Sequence, residues 1–139
     1  MGLSFGLVRG CKMKRTFIWP IFWVLLAVFG VSILMMFLPF LSVHISPMVL
    51  WPALLILGVM LFVLTLKTQM NRNLKRFLLI TGASPIGFIV FVLLHNLVSG
   101  LFNTEEPVFF VLATMVCPLG FIAGIIGSII LKLKQRQAN

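Results

Sequence analysis

Four long apolar stretches, separated by short polar ones, organise this chain from end to end. They cover residues 17–41, 48–66, 77–99 and 108–131. A hydrocarbon core of about 30 Å is crossed by about 20 helical residues, so each stretch is long enough to span one. None alternates apolar with polar positions as a barrel strand would. Backbone groups surrounded by lipid have to be paired within their own segment, which leaves helices. The pattern predicts an all-α membrane protein of four transmembrane helices, arranged as two antiparallel hairpins. The transmembrane domain then covers residues 17–131, between a basic tail at 1–16 and a second at 132–139.

The polar segments between the spans divide sharply by charge. Arg9, Lys12, Lys14 and Arg15 precede the first span, and Lys67, Arg72, Lys75 and Arg76 link the second to the third. Lys132, Lys134 and Arg136 follow the fourth, which accounts for all 11 basic residues. The other two connections, SVHISP and GLFNTEEP, carry none. Cytoplasmic loops are enriched in Lys and Arg, so both termini are expected on the cytoplasmic side of the cell membrane. Beyond setting topology, these residues suit anionic lipid headgroups. An acidic cytoplasmic partner is the sharper alternative. Trp19 and Trp23 near the inner end of the first span, and Trp51 near the outer end of the second, are placed as interfacial anchors.

Composition agrees with that picture and removes other classes. The chain is 61% hydrophobic and 9% charged, with mean hydropathy +1.20. Soluble domains are about 25% charged. A net charge of +9 would otherwise suggest nucleic acid, but here the basic residues flank apolar spans instead of forming one face, so no nucleic-acid partner is expected. Cys11 and Cys117 fall at different expected depths, too far apart for a disulfide, which needs Cα atoms within about 7 Å. The first apolar run is too long for a signal-peptide core of about 7–15 residues. Gly6 stands where the myristoylation pattern wants Ser or Thr.

Small and polar residues inside the spans carry the functional hints. In CPLGFIAGIIGSIILK, Gly120, Gly124 and Ser128 recur every fourth residue, with Ala123 and Gly127 on an adjoining stripe. Such a face lets another backbone approach closely. The expected partner is a helix of this chain, a second copy or another membrane protein. The third span opens with TGASPIG, where Pro85 has no N–H for the Thr81 carbonyl, so a kink with compensation by the Thr81 and Ser84 hydroxyls is expected. A broken helix lining a solute site is the alternative reading. Pro118 is expected to bend the fourth span. No Asp, Glu, Lys, Arg or His stands near the middle of a span, which counts against a proton-coupled transporter. The acidic residue on which small multidrug antiporters depend is missing from the first span, and the paired cysteines of thiol-oxidising membrane enzymes are missing too.

His44, His95, Glu105 and Glu106 are expected near the outer surface. Zinc accepts such N and O ligands, and two histidines can hold a haem, but the residues come from separate loops with no local ligand spacing. The ordinary reading is helix capping. Asn103 or Thr104 would cap the fourth helix, with Glu105 and Glu106 at the positive end of its dipole and Pro107 in its first turn. No cofactor is called for.

The functional expectation is a non-catalytic subunit, anchor or accessory factor of a larger membrane assembly. It would meet another membrane protein or a second copy through the fourth helix. An oligomeric small-solute transporter or channel using the kinked third helix is the alternative, and a metal or haem protein the weaker one. The segment MKRTFIWPIFW also reads as a translation start at Met13, with residues 1–12 an extension. The intact mass decides between Met1 and Met13, and a mass that includes residues 1–12 would end that idea.

Overall fold

The computed structural model describes residues 3–38, 46–103 and 107–138, and side-chain surroundings for these except 3–15, 36, 37 and 47. Every described element is helical. Helix α1 covers Leu3–Phe37, α2 Pro47–Lys67, α3 Arg72–Phe102 and α4 Pro107–Val111. A π-helical turn at Leu112–Val116 joins α4 to α5, Cys117–Gln137, in one rod. Four helices are long and apolar enough to cross a membrane: Thr16–Met35 within α1, Met48–Lys67, Arg72–Phe102 and the rod Pro107–Gln137. The chain has the make-up of a small multi-pass integral membrane protein.

The helices outlast the apolar stretches. Helix α3 begins at Arg72 instead of residue 77, and α5 continues to Gln137, through most of the expected 132–139 tail. The expected tail at 1–16 is helical from Leu3. Hydropathy marks where side chains turn polar, whereas a helix stops where its end groups find partners. At the start of α3, the Asn71 side chain accepts a hydrogen bond from the Asn73 N–H at 3.2 Å. At the end of α2, the Lys75 ammonium donates to the Leu66 carbonyl at 2.8 Å, satisfying one of the last carbonyls from across the link. Pro20 lies inside α1, near the start of its apolar span.

Helix α3 is central, packed between α2 and α5, while α1 lies against α2. Each helix buries a line of residues three or four apart: Ile18, Phe22, Leu25 and Phe29 on α1; Leu54, Gly58, Leu61 and Thr65 on α2; Cys117, Phe121, Gly124 and Ser128 on α5. The outward faces are equally apolar, with Ile56, Met60, Ile122, Ile126 and Ile130 exposed. An exposed apolar surface on every helix fits lipid as the surrounding solvent.

Backbones meet where α2 crosses α3. A methyl group added at Gly58 would lie 3.1 Å from the Gly82 carbonyl oxygen and 3.2 Å from a Pro85 ring carbon. One added at Gly82 would lie 3.1 Å from the Phe62 nitrogen. The pair works as small-residue packing does in membranes, by letting main chains touch. Aromatic rings join α1 to the other side: Phe29 stands edge-on to Phe88 of α3 at 5.8 Å and to Phe121 of α5 at 4.3 Å.

Gly58→Ala is expected to destabilise the bundle by about 1–3 kcal/mol, because the clash is with backbone. At Gly30 a methyl group meets nothing within 4 Å, so Gly30→Ala should stabilise by about 0.5–1 kcal/mol through helix propensity. Thermal unfolding in detergent micelles measures both, and equal effects would remove the crossing as their cause.

Candidate functional site

Two groups of polar side chains within the bundle stand out, a sealed patch between α3 and α5 and an open cleft at one end. The patch is the TGASPIG segment. Helix α3 runs without a break past Pro85, which is fully buried. The Thr81 hydroxyl donates to the Phe77 carbonyl at 2.9 Å, and the Ser84 hydroxyl to the Ile80 carbonyl at 2.8 Å. Both hydroxyls therefore turn back onto their own helix, as they must where no water competes.

That patch is covered by the small-residue face of α5. A methyl group at Gly124 would overlap the Thr81 hydroxyl and lie 2.9 Å from the Thr81 nitrogen; one at Gly127 would overlap the Phe77 ring. At Gly120 it would lie 3.2 Å from the Ser84 oxygen. The helix facing this stripe is thus α3 of the same chain. Ser128 is fully buried on the same face, and its hydroxyl has no hydrogen-bond partner among the described residues. Ala123 does not belong to this face. One residue turns a helix by about 100°, which carries Ala123 outward from Gly124 to an exposed position.

The cleft has a volume of about 440 Å³. Helix α1 contributes Ser32 and Met35, α2 Leu50 and Trp51, and α3 Phe88, Val92, His95 and Asn96. The last wall is the start of the fourth rod, with Phe110, Ala113 and Thr114. The π turn shapes that wall. Pro118 cannot donate a hydrogen bond, and the Cys117 N–H bonds five residues back, to the Leu112 carbonyl. This adds a residue to one helical turn, and Ala113 and Thr114 of the widened turn face the cleft. The irregularity beside Pro118 is this π turn, just before it. Phe88, in the wall of the cleft, meets Phe29 edge-on, and Phe29 in turn meets Phe121. Beyond them the bundle is filled by Phe22, Leu25, Leu61 and Leu78, all fully buried.

Of the metal candidates, His95 lines the cleft with its ring 5.6 Å from that of Phe110. His44, Glu105 and Glu106 lie outside the described residues, as does Thr104. Asn103 ends α3 in the left-handed conformation, φ 49° and ψ 34°, a role that suits asparagine.

The described basic residues gather at the end of the bundle away from the cleft. The Lys132 ammonium sits 3.1 Å above the centre of the Trp19 ring, a cation–π contact between α5 and α1. Phe77 against Gly127 sets the Lys67–Arg76 link beside the last turns of α5, which carry Lys134 and Arg136. The side chains of Lys12, Lys14 and Arg15 lie outside the described ones.

Sequence reasoning found His95 and the small-residue stripe but not the cleft. Phe88 and Phe110 look in sequence like any other aromatic residues in apolar runs, and Trp51 reads as an interfacial anchor. Pro118 was the one usable signal, since it marks the turn that opens the wall. No family model, curated protein or solved structure matches this chain.

Gly124→Ala should cost about 1–3 kcal/mol by prising α5 from α3. Ser128→Ala should leave stability unchanged or raise it by about 1 kcal/mol, since it removes an unpaired buried hydroxyl. Unfolding of the two variants in micelles tests the assignment, and a large loss in Ser128→Ala would mean that the hydroxyl has a partner.

Proposed function

We propose that this chain is a non-catalytic membrane protein, a ligand-binding accessory component of a larger membrane assembly. The observation that carries this reading is the cleft: four helices line an open cavity at one end, and the fully buried Phe22, Leu25, Phe29, Leu61 and Leu78 fill the bundle elsewhere. Such a shape retains a molecule instead of passing it through. The solute-transport reading relied on the TGASPIG patch, whose hydroxyls are bonded within α3 and covered by α5. That leaves this patch no face on which to line a route.

The proposed architecture is two antiparallel hairpins with both termini cytoplasmic. Contact order supports the first part. Along α2 and α3, Leu66 meets Lys75 while Gly58 meets Gly82 and Pro85. Along α3 and α5, Phe77 meets Gly127 while Ser84 meets Gly120. Numbers rise on one helix as they fall on the other. Gathered basic residues support the second part, because the positively charged end belongs in the cytoplasm. The cleft then opens towards the outer leaflet. A protein partner meeting the fourth rod would use its outward face, at Leu119, Ile122 and Ile126, since α3 occupies the glycine stripe.

Two measurements test the proposal. Proteoliposomes are expected to show no solute flux above protein-free vesicles, and gentle extraction to recover a stoichiometric partner; flux that disappears in Ser84→Ala would overturn the reading. With Cys11 and Cys117 replaced by Ser, a cysteine at Asn103 should react with an impermeant maleimide from outside intact cells. One at Lys134 should react only after permeabilisation, and the opposite pattern would reverse the orientation.

A further inference from the structure

We propose that the cleft binds an uncharged, single-chain amphiphile with a hydroxyl-bearing head group, of the monoacylglycerol type. This rests on the reading of the cleft as a binding site and adds the chemistry of its occupant.

Size limits the ligand first. An apolar cavity of about 150 Å³ takes a benzene of six non-hydrogen atoms, so 440 Å³ takes about 18. That is one chain with a small head, and a two-chain lipid is excluded. Lining comes next. Phe88, Val92, Ala113 and Phe110 supply an apolar wall that takes a hydrocarbon chain from the bilayer at no desolvation cost and holds it by close fit.

The polar groups then select the head. The Ser32 hydroxyl already donates to the Val28 carbonyl at 2.9 Å, and the Thr114 hydroxyl to the Phe110 carbonyl at 2.8 Å. With their protons committed, both oxygens face the cleft as acceptors. Trp51 offers an indole N–H, which only donates, and Asn96 offers both functions. A site with separate donors and acceptors matches a hydroxyl group, which does both. A carboxylate or phosphate would meet acceptor oxygens with no Lys or Arg in the described lining. An ammonium head would meet no described carboxylate there. Among the described lining residues neither charge meets a Lys, Arg, Asp or Glu partner, and His95 supplies only an imidazole, so desolvating either costs more than burying a neutral hydroxyl with partners.

The cleft is also built on regular elements, with its polar groups held by helices. Its one irregularity, the π turn, presents Thr114 and is set by Pro118. Single π turns of this kind occur frequently at functional sites.

The test uses the full-length protein in phosphatidylcholine nanodiscs and a monododecanoylglycerol carrying a photoactivatable diazirine in its chain. Labelling is expected to saturate and to map by mass spectrometry to Phe88, Val92 and Phe110. Unlabelled monododecanoylglycerol should displace the probe. Dodecanoate and dodecyltrimethylammonium, with the same chain and opposite charges, should compete about tenfold less well, a difference of about 1.4 kcal/mol. Ser32→Leu, which fills the cleft and removes an acceptor, should abolish saturable labelling. The competition series needs no variant, so a misfolded Ser32→Leu would not affect it. Equal competition by the charged chains would overturn the ligand class while leaving the binding reading intact. Labelling that rises without saturation and maps to outward residues such as Leu97 and Ile126 would overturn both.

Discussion

The whole bundle depends on α3 touching two other main chains. In lipid, an apolar side chain gains nothing by moving from hydrocarbon into a protein interior, so helices adhere through close fit. At Gly58 and Gly82 the missing side chains bring α2 against α3, and at Gly124 they bring α5 against Thr81. These crossings fix α3 on two sides. Helix α1, with no such crossing described, is held by bulk: Phe29 between Phe88 and Phe121, and Trp19 beneath Lys132.

A second constraint follows from the same solvent. Ser32, Thr65, Thr68, Thr81, Ser84 and Thr114 each donate to the carbonyl four residues earlier. In water such bonds are optional, whereas in hydrocarbon they are the nearest means of pairing a hydroxyl. The consequence depends on location. Between α3 and α5 the hydroxyls vanish into packing. At the cleft, Ser32 and Thr114 have donated their protons and keep their oxygens facing open space. One local rule therefore produces a sealed patch in one place and a receptive one in another.

The fold was more legible than the site. Four spans were readable because about 20 apolar residues in a row suit a membrane helix and little else, and the observed helices contain most of each expected stretch. Their ends were not, since the Asn71 cap and the Lys75 contact with Leu66 depend on where the next element lies. Gly124 could be seen as a packing residue from its spacing alone. That its partner is Thr81 of the same chain, and that Ala123 points away, required the helices to be placed. His95 stood out through rarity, but rarity says nothing about the Trp51 and Phe110 rings that surround the same cavity.

The solvent, the number of helices and the separation of charge belong to the sequence by itself, because each follows from composition along one dimension. The inward faces belong to the tertiary structure. In a soluble protein hydrophobicity separates core from surface, but these helices are apolar all round and their hydropathy marks no inner side. Only shape distinguishes the faces: glycine against backbone at two crossings, phenylalanine rings meeting edge-on beside the cleft, and a widened turn before Pro118. Shape complementarity joins residues far apart in the chain, so it becomes visible only when the helices are together.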